Sequence, residues 1–169
     1  MSTELTLLQR TFMKAGYLLV DMQTTERAIK LCAKVALPKI EEILDPIEDR
    51  LGNLAYDKQT LGPMLVTLRR RAVFQKDFEA ILTRFLENRN LFVHGLEQIP
   101  GVGLRSEAEL REFGKFLLLL LRDSRTVRSV FVGIVHSWAI QSGYNITEEE
   151  ASGIAIPPSL EKPIIRRLL

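Results

Sequence analysis

The sequence predicts an all-α protein: an up-and-down helical bundle of four to five helices with a long first and a long fourth helix. Glycine and proline are sparse, at 10 and 7 of 169 residues, and leucine, arginine and glutamate are abundant, a composition that favours helices over strands. Apolar residues also recur at the three- and four-residue spacing of a helix face. With 46% hydrophobic residues the chain can bury one sizeable core. We therefore predict one bundle over residues 1–145 and a proline-containing C-terminal tail over residues 146–169, which packs across the bundle or reaches a partner.

The first helix is predicted to start near Leu5 and to end before Pro38, because the residue before a proline disfavours helix. Glu26 interrupts its apolar seam, where the pattern calls for an apolar side chain. The seam residues expected to face the core are Leu8, Phe12, Ala15, Leu19, Met22, Ile29 and Ala33.

The middle of the chain predicts a short helix followed by a longer one. Residues 38–60 contain turn-forming dipeptides and predict turns with short helical pieces. Thr60 can cap a second helix, which ends in the basic cluster Arg69-Arg70-Arg71. A third helix begins near Phe74 or Lys76 and closes at His94-Gly95, since glycine is common just past a helix end. Its seam is formed by Phe78, Leu82, Phe85 and Phe92, with Arg89 at a position that the pattern reserves for an apolar residue.

The fourth helix is predicted to open at a capping box formed by residues 106–109, Ser-Glu-Ala-Glu, and to end near Gly143. Asp123-Ser124 are expected to bend or break it. On this helix His136 has no partner at metal-ligand spacing and is expected to be structural, and Trp138 follows the apolar seam and is expected in the core.

Composition excludes several classes of function. The net charge of +2 is far from that of a strongly cationic nucleic-acid binder. The single cysteine, Cys32, excludes a disulfide framework and a multi-cysteine metal site, and it is expected to be a small core residue. No apolar run approaches the roughly 18 residues of a membrane helix, so we expect a cytoplasmic protein without a membrane segment. Motifs for phosphate loops, dinucleotides or metals are missing from the sequence, and no cofactor or metal is expected.

The residues that point to chemistry lie at the end of the third helix. Asn90 and His94 are four residues apart and share a helix face. A buried guanidinium needs a partner, because desolvating an unpaired charge is costly. For Arg89 two partners are candidates: Glu26, at the anomalous seam position of the first helix, and an anionic ligand such as phosphate. Alternatively, the Arg89–Glu26 pair only fixes the register of two helices, and His94 is a C-terminal histidine favoured by the helix dipole.

Arg89-Asn90, three further residues and then His94-Gly95 resemble the motif of HEPN domains, the higher eukaryote and prokaryote nucleotide-binding domains. The predicted helical framework over residues 4–143 is similar to that family as well. The resemblance implies a homodimer in which two motifs face each other and form one metal-independent endoribonuclease site. Many members are toxins or antiviral (antiphage) effectors, often beside a nucleotidyltransferase antitoxin in a toxin-antitoxin pair, and others are inactive nucleotide-binding or structural modules.

The resemblance also implies a role for each residue. His94 is the general base or acid that exchanges a proton with the RNA 2′-hydroxyl or the departing 5′-oxygen, a task suited to a side chain that titrates near neutral pH. Arg89 holds the scissile phosphate with its fork of donors, and Asn90 is a polar support. The expected products are a 2′,3′-cyclic phosphate and a 5′-hydroxyl.

Two alternatives to the ribonuclease remain open. One is a nucleotide- or partner-binding module, a regulatory or scaffold protein that keeps the motif without cleaving RNA. The other is a helical scaffold in which Arg89, Glu26 and His94 form only an internal polar network. The cluster Arg69-Arg70-Arg71 can track an RNA backbone, or it can be a solvated helix end that complements the helix dipole.

Overall fold

A computed structural model describes residues 6–35 and 61–143 of the chain. Within these residues the protein is helical and contains no strand, so the predicted all-α bundle with a long first and a long last helix is confirmed. The turns predicted for residues 38–60, the Thr60 cap and the tail over 146–169 lie outside the described residues. The elements are α1 (Leu7–Val35), α2 (Leu61–Arg71), α3 (Lys76–His94), a 3₁₀ turn (Leu96–Gln98) and α4 (Glu107–Gln141).

The long helix α4 packs against both α1 and α3. Tyr17 of α1 contacts Arg125 of α4 and Asp21 contacts Arg128, so residue numbers rise together and the two helices run in the same direction. Phe78 of α3 meets Phe131 of α4, whereas Arg84, further along α3, meets Asp123. Helices α3 and α4 are therefore antiparallel.

The core is formed by buried side chains of all four helices, and aromatic rings fill part of it. Phe74, Phe78 and Phe131 form three edge-to-face pairs with centroids 5.4–6.1 Å apart, a favoured geometry for aromatic side chains. The predicted seam of α3 is confirmed at Phe78, Leu82 and Phe85, each of which is buried. Cys32 is buried, as predicted. Other fully buried side chains include Leu18, Met22, Ile29, Met64, Leu65, Leu68, Leu117 and Leu120.

The predicted core face of α1 is wrong in its first half. Leu8, Phe12 and Leu19 were expected in the core, but they are 40%, 55% and 45% exposed. The core takes Leu18 instead, and from Met22 onwards the prediction is confirmed, since Met22, Ile29 and Ala33 are buried. Apolar residues surround the first half of α1 on most sides. A three-four pattern can therefore be drawn along two different faces, and packing against α4 selects one of them.

The expected break at Asp123-Ser124 is also wrong, because α4 is continuous over 35 residues. Both residues are buried. Asp123 binds Arg84 and Ser124 binds Asp21, so neighbouring helices satisfy these polar side chains. They therefore do not compete for the backbone hydrogen bonds of their own helix.

The start of α4 follows the predicted capping pattern with one difference. The Ser106 hydroxyl accepts a hydrogen bond from the Glu109 backbone N–H at 3.2 Å, and the Glu109 carboxylate accepts one from the backbone N–H of Arg105, rather than of Ser106, at 2.6 Å. The preceding turn requires glycine at Gly101, where φ is +80° and an added Cβ would clash with the Glu109 carbonyl oxygen. At the other end of this turn, Gly95 follows α3 as predicted, and its N–H donates to the Leu91 carbonyl.

Candidate functional site

Arg89 and Asn90 of α3 meet Glu26 of α1 in a polar cluster. The Nε atom of Arg89 donates to Oε1 of Glu26 at 2.8 Å, Nη2 lies 2.8 Å from the same oxygen in an ion pair, and Nη1 donates to Oδ1 of Asn90 at 3.2 Å. The side chains of Arg89 and Glu26 are 19% and 23% exposed. Glu26 and Arg89, which each interrupt an apolar seam, therefore bind each other. Of the two partners considered for Arg89, the structure supplies Glu26.

This cluster leaves Arg89 only partly satisfied. A guanidinium carries five N–H donors, and the hydrogen bonds that Arg89 makes with the described residues use two of them, one to Glu26 and one to Asn90. Because the side chain is still partly exposed, its remaining donors are accessible to water or to an anion. The cluster can therefore add a phosphate ligand without breaking the pair with Glu26.

His94 is the last residue of α3 and is exposed. It lies one helical turn beyond Asn90 on the same face. No hydrogen bond or ion pair engages its imidazole within residues 6–35 and 61–143. The structure therefore brings Glu26, Arg89 and Asn90 together and leaves His94 one turn further along α3, open to solvent at the helix C-terminus.

A second arginine of α3 is part of a pair that the sequence did not reveal. Arg84 donates from Nε and Nη2 to the two oxygens of Asp123 at 2.6 and 2.8 Å. The Asp123 side chain is 2% exposed, and that of Arg84 is 40% exposed. The hydrogen bond with Asp123 raises the pKa of Arg84 above its usual range, with burial opposing the shift. A signal for this pair was present, because Asp123 falls among seam positions of α4 between Leu120 and Val127.

A buried polar network fastens α1 to α4, and the sequence did not reveal it either. The Asp21 carboxylate is 3% exposed. It accepts hydrogen bonds from the Ser124 hydroxyl and from Nη1 of Arg128, each at 2.8 Å. The Thr25 and Ser124 hydroxyls lie 2.9 Å apart. Since each polar group faces a partner, this network fixes the register of the two long helices.

The basic cluster at the end of α2 divides in the structure. Arg69 forms an ion pair with Glu79 and donates to the Thr83 hydroxyl at 2.9 Å, so it ties α2 to α3. Arg70 is exposed, and the side chain of Arg71 lies outside the described residues. On α4, His136 and Trp138 are half-buried. Trp138 is thus less enclosed than the core position predicted for it.

The described residues contain no group of three or more histidine, cysteine, aspartate or glutamate side chains arranged to hold a metal ion. Among the described helices, none is both long and apolar enough to cross a membrane. Comparison with known protein families, with curated proteins and with solved structures finds no match. Support for a function therefore comes from the geometry of the chain's own residues and from the motif that they carry.

Proposed function

We propose that the chain is a metal-independent endoribonuclease of the HEPN type, in which Arg89, Asn90 and His94 of two copies form a composite site at a homodimer interface. One observation carries the proposal. Glu26 and Asn90 hold the Arg89 guanidinium near the C-terminal end of α3 with donors to spare, and the exposed His94 lies one turn further on. A guanidinium that can bind phosphate is thus held at the same end of α3 as a side chain that can transfer protons.

In the proposed reaction each residue has a distinct task. Arg89 binds non-bridging oxygens of the scissile phosphate and stabilises the charge that grows on them during in-line attack. Glu26 and Asn90 are positioning residues, which hold the guanidinium in one orientation. His94 of one copy takes the proton of the 2′-hydroxyl as that oxygen attacks phosphorus, and His94 of the second copy gives a proton to the leaving 5′-oxygen. The products are a 2′,3′-cyclic phosphate and a 5′-hydroxyl.

The proposal includes a biological setting. A metal-independent ribonuclease of this kind fits a cytoplasmic toxin or antiphage effector whose activity is restrained by a partner such as a nucleotidyltransferase-type antitoxin. In the basic cluster of α2, Arg70 has an exposed side chain that suits contact with the RNA backbone. Arg69 contributes less charge to RNA, because Glu79 already binds it.

The second candidate function is a non-catalytic nucleotide- or partner-binding module of the same class, and one observation favours it. Glu26 neutralises the charge of Arg89, so the pair already satisfies a structural need by joining α1 to α3. On this hypothesis the cluster binds a nucleotide phosphate or a protein carboxylate through the remaining donors of Arg89, and His94 transfers no proton.

Cleavage of RNA by the purified full chain, with EDTA present, distinguishes the two candidates. The substrates are total RNA and tRNA, and the proteins are the wild type, His94→Ala and a matched control, His136→Ala, which alters the other of the two histidines. We expect cleavage to survive EDTA, to yield 2′,3′-cyclic phosphate ends and to fall by at least about 100-fold in His94→Ala, the usual contribution of a general acid or base. The His136→Ala control should cleave at the wild-type rate.

Two results would contradict the ribonuclease. A folded, dimeric wild type that cleaves neither substrate would favour the binding module. Equal cleavage by wild type and His94→Ala would show that the activity does not come from this site. Circular dichroism of each variant confirms that any loss is not due to unfolding.

A further inference from the structure

A groove with a basic rim lies between α1 and α4. It contains an open pocket of about 200 Å³, which we call the α1–α4 pocket and which is lined by Met13, Lys14, Tyr17, Leu117, Leu118 and Leu121. Directly after Leu121, α4 carries three arginines that we call the arginine track: Arg122, Arg125 and Arg128. The pocket and the track form one continuous surface, because Tyr17 lines the pocket and contacts Arg125.

The arginine track presents guanidinium groups to solvent over about two turns of α4. Its members are three residues apart, a spacing that makes side chains of a helix neighbours, and they span roughly 9 Å along the helix axis. The side chains of Arg122, Arg125 and Arg128 are 70%, 53% and 29% exposed. An extended anionic ligand can therefore contact more than one of them.

The track carries more positive charge than its carboxylate neighbours neutralise. Among the described residues, its ion pairs are with Asp21 and Asp123. Asp123 already accepts two hydrogen bonds from an arginine of α3, and Asp21 is shared between Arg128, at 2.8 Å, and Arg125, at 4.0 Å. Both carboxylates are buried, whereas the arginines reach the surface. This surface is therefore positive, although the whole chain carries a net charge of only +2.

Tyr17 places an aromatic ring between the pocket and the track. The guanidinium carbon of Arg125 lies 5.7 Å from the centroid of this ring, within the range of a cation–π contact, and Nη2 of Arg125 donates to the Tyr17 hydroxyl at 3.0 Å. The tyrosine is still 53% exposed. An aromatic face and a cation are thus held together at the surface, where one ligand can reach both.

Single-stranded RNA is the ligand that fits this combination. Proteins bind single strands through a positive groove that follows the phosphates and through aromatic side chains on which bases stack. The arginine track supplies the positive groove, and Tyr17 supplies the aromatic side chain. The α1–α4 pocket is concave and is lined largely by apolar side chains, so it admits an unpaired base. A duplex does not offer such a base, because its bases stay paired and stacked.

This surface is separate from the cluster around Arg89. Tyr17 and Glu26 are nine residues apart on α1, which is about two and a half turns, so they lie on opposite sides of the helix. Glu26 contacts Arg89, whereas Tyr17 contacts Arg125. RNA on the arginine track is therefore held away from the phosphate that the proposed function gives to Arg89.

We infer that the α1–α4 pocket and the arginine track bind single-stranded RNA, with an unpaired base on Tyr17 and phosphates on the arginines. RNA as the ligand rests on the proposed function, whereas the site rests on α1 and α4 alone. In the proposed enzyme this surface holds nucleotides in which no bond changes. It binds substrate and transition state equally, so its loss raises KM and leaves kcat unchanged.

Neutralising two arginines tests the track. The probe is a labelled single-stranded oligouridylate, and the full chain carries His94→Ala so that the probe is not cleaved. In this background, Arg122→Gln together with Arg125→Gln should raise the dissociation constant about 10-fold at low salt. The slope of log K against log salt concentration should fall by about 0.7 for each arginine removed. Arg122→Gln alone changes a largely exposed side chain and gives the slope for one arginine if the double variant does not fold.

The matched control is Arg111→Gln. It removes a guanidinium that is 68% exposed near the start of α4 and pairs with Glu107, and it should bind the probe like the His94→Ala parent. In protein that retains His94, rates of tRNA cleavage should show KM raised about 10-fold by the double variant, with kcat within about twofold of the wild type.

Two substitutions of Tyr17 test base stacking. Tyr17→Phe keeps the aromatic ring and loses only the hydroxyl, so it should bind the probe within about twofold of the parent. Tyr17→Leu fills similar space without an aromatic face and should bind at least about fivefold more weakly, as for a lost stacking contact. Duplex RNA should bind the parent more weakly than the single strand does, because it offers no unpaired base.

Three outcomes would overturn the inference: a double arginine variant that binds the probe as tightly as the Arg111→Gln control, a Tyr17→Leu protein that binds as tightly as Tyr17→Phe, or a double variant that loses binding to phosphatidylserine vesicles but not to RNA. The last result would assign the surface to anionic lipid. Failure here is distinguishable from failure of the ribonuclease, because the binding assay does not require cleavage. A protein that binds RNA through this surface without cleaving it contradicts only the enzyme, and an enzyme whose KM is unchanged in the double variant contradicts only this site.

Discussion

Arg84 and Arg89 both lie on α3 and both pair with a carboxylate of another helix, yet the two pairs differ in how completely they are satisfied. Arg84 donates hydrogen bonds to both oxygens of Asp123, whose side chain is 2% exposed. Arg89 uses one oxygen of Glu26, whose side chain is 23% exposed, and turns a further donor to Asn90. The Asp123 carboxylate is buried and both of its oxygens are bound, so removing Arg84 would leave a buried charge, and we expect Arg84 to act mainly in stability. The Glu26 carboxylate is partly exposed and is bound through one oxygen, so we expect Arg89 to contribute less to stability; the proposed function gives it the phosphate, because it lies five residues before His94.

The largest expected effect separates the two arginines by activity. Arg89→Lys keeps the charge but loses the planar fork of donors, and we expect RNA cleavage to fall by about 100- to 1,000-fold, as for loss of one transition-state donor. Initial rates of tRNA cleavage measure it, with Arg84→Lys as the matched control on the same helix. If both lysine variants lost activity equally, it would be wrong to give Arg89 a role in binding RNA and Arg84 a role in stability alone.

The second effect separates the same arginines by stability. Arg84→Met removes both hydrogen bonds to the buried Asp123 carboxylate and leaves only the more distant Arg122, at 3.9 Å, as its cation, and we expect the free energy of unfolding to fall by about 3 kcal/mol. Arg89→Met should lower it by only about 1 kcal/mol, because water can reach Glu26. Urea denaturation measures both. Adding Asp123→Leu to Arg84→Met should recover most of the stability, since it removes the buried carboxylate. If stability did not recover, the role of the Arg84–Asp123 pair in stabilising the bundle would be in error.

A smaller effect is expected in the network that joins α1 to α4. Ser124→Ala removes the hydroxyl that donates to Asp21 and contacts Thr25. We expect the free energy of unfolding to fall by about 1–2 kcal/mol, less than for Arg84→Met, because Arg128 still binds Asp21. Ser137→Ala, at a half-buried position of α4, is the control and should change it by less than about 0.5 kcal/mol. A loss as large as that of Arg84→Met would show that the Ser124 hydroxyl is the main contact that holds α1 in register with α4.

The smallest effect concerns a titratable group buried with no charged partner. Burial raises the pKa of the Cys32 thiol well above its ordinary value of 9.0. The native protein keeps this proton while the unfolded chain releases it above about pH 9, so stability falls as pH rises, by at most about 1.4 kcal/mol per pH unit. Relative to Cys32→Ala, the wild type should lose about 1 kcal/mol between about pH 8.5 and about pH 10. Equal losses in the two proteins would mean that the thiol ionises in the folded state.

The sequence predicted the features that depend on local chemistry or on a single face. Composition and periodicity indicated an all-helical chain, glycine and the serine cap marked the end of α3 and the start of α4, and the seam of α3 was correct at Phe78, Leu82 and Phe85. The two charged interruptions, Glu26 and Arg89, were recognised as needing partners, and they bind each other. The roles in RNA cleavage assigned to Arg89, Asn90 and His94 stay predictions.

Only the tertiary structure decided which side of α1 meets the core and which residues bind the polar side chains buried there. Periodicity shows which residues share a helix face, but where apolar residues surround a helix it does not show which face packs inward, so Phe12 was placed in the core and Leu18 was not. Likewise, a polar residue in a seam signals that a partner exists without naming it, because the partner comes from a distant part of the chain. From the sequence, Asp123 and Ser124 were expected to bend or break α4. In the structure Arg84 binds Asp123, and Asp21 and Thr25 contact the Ser124 hydroxyl, so the helix continues through both residues.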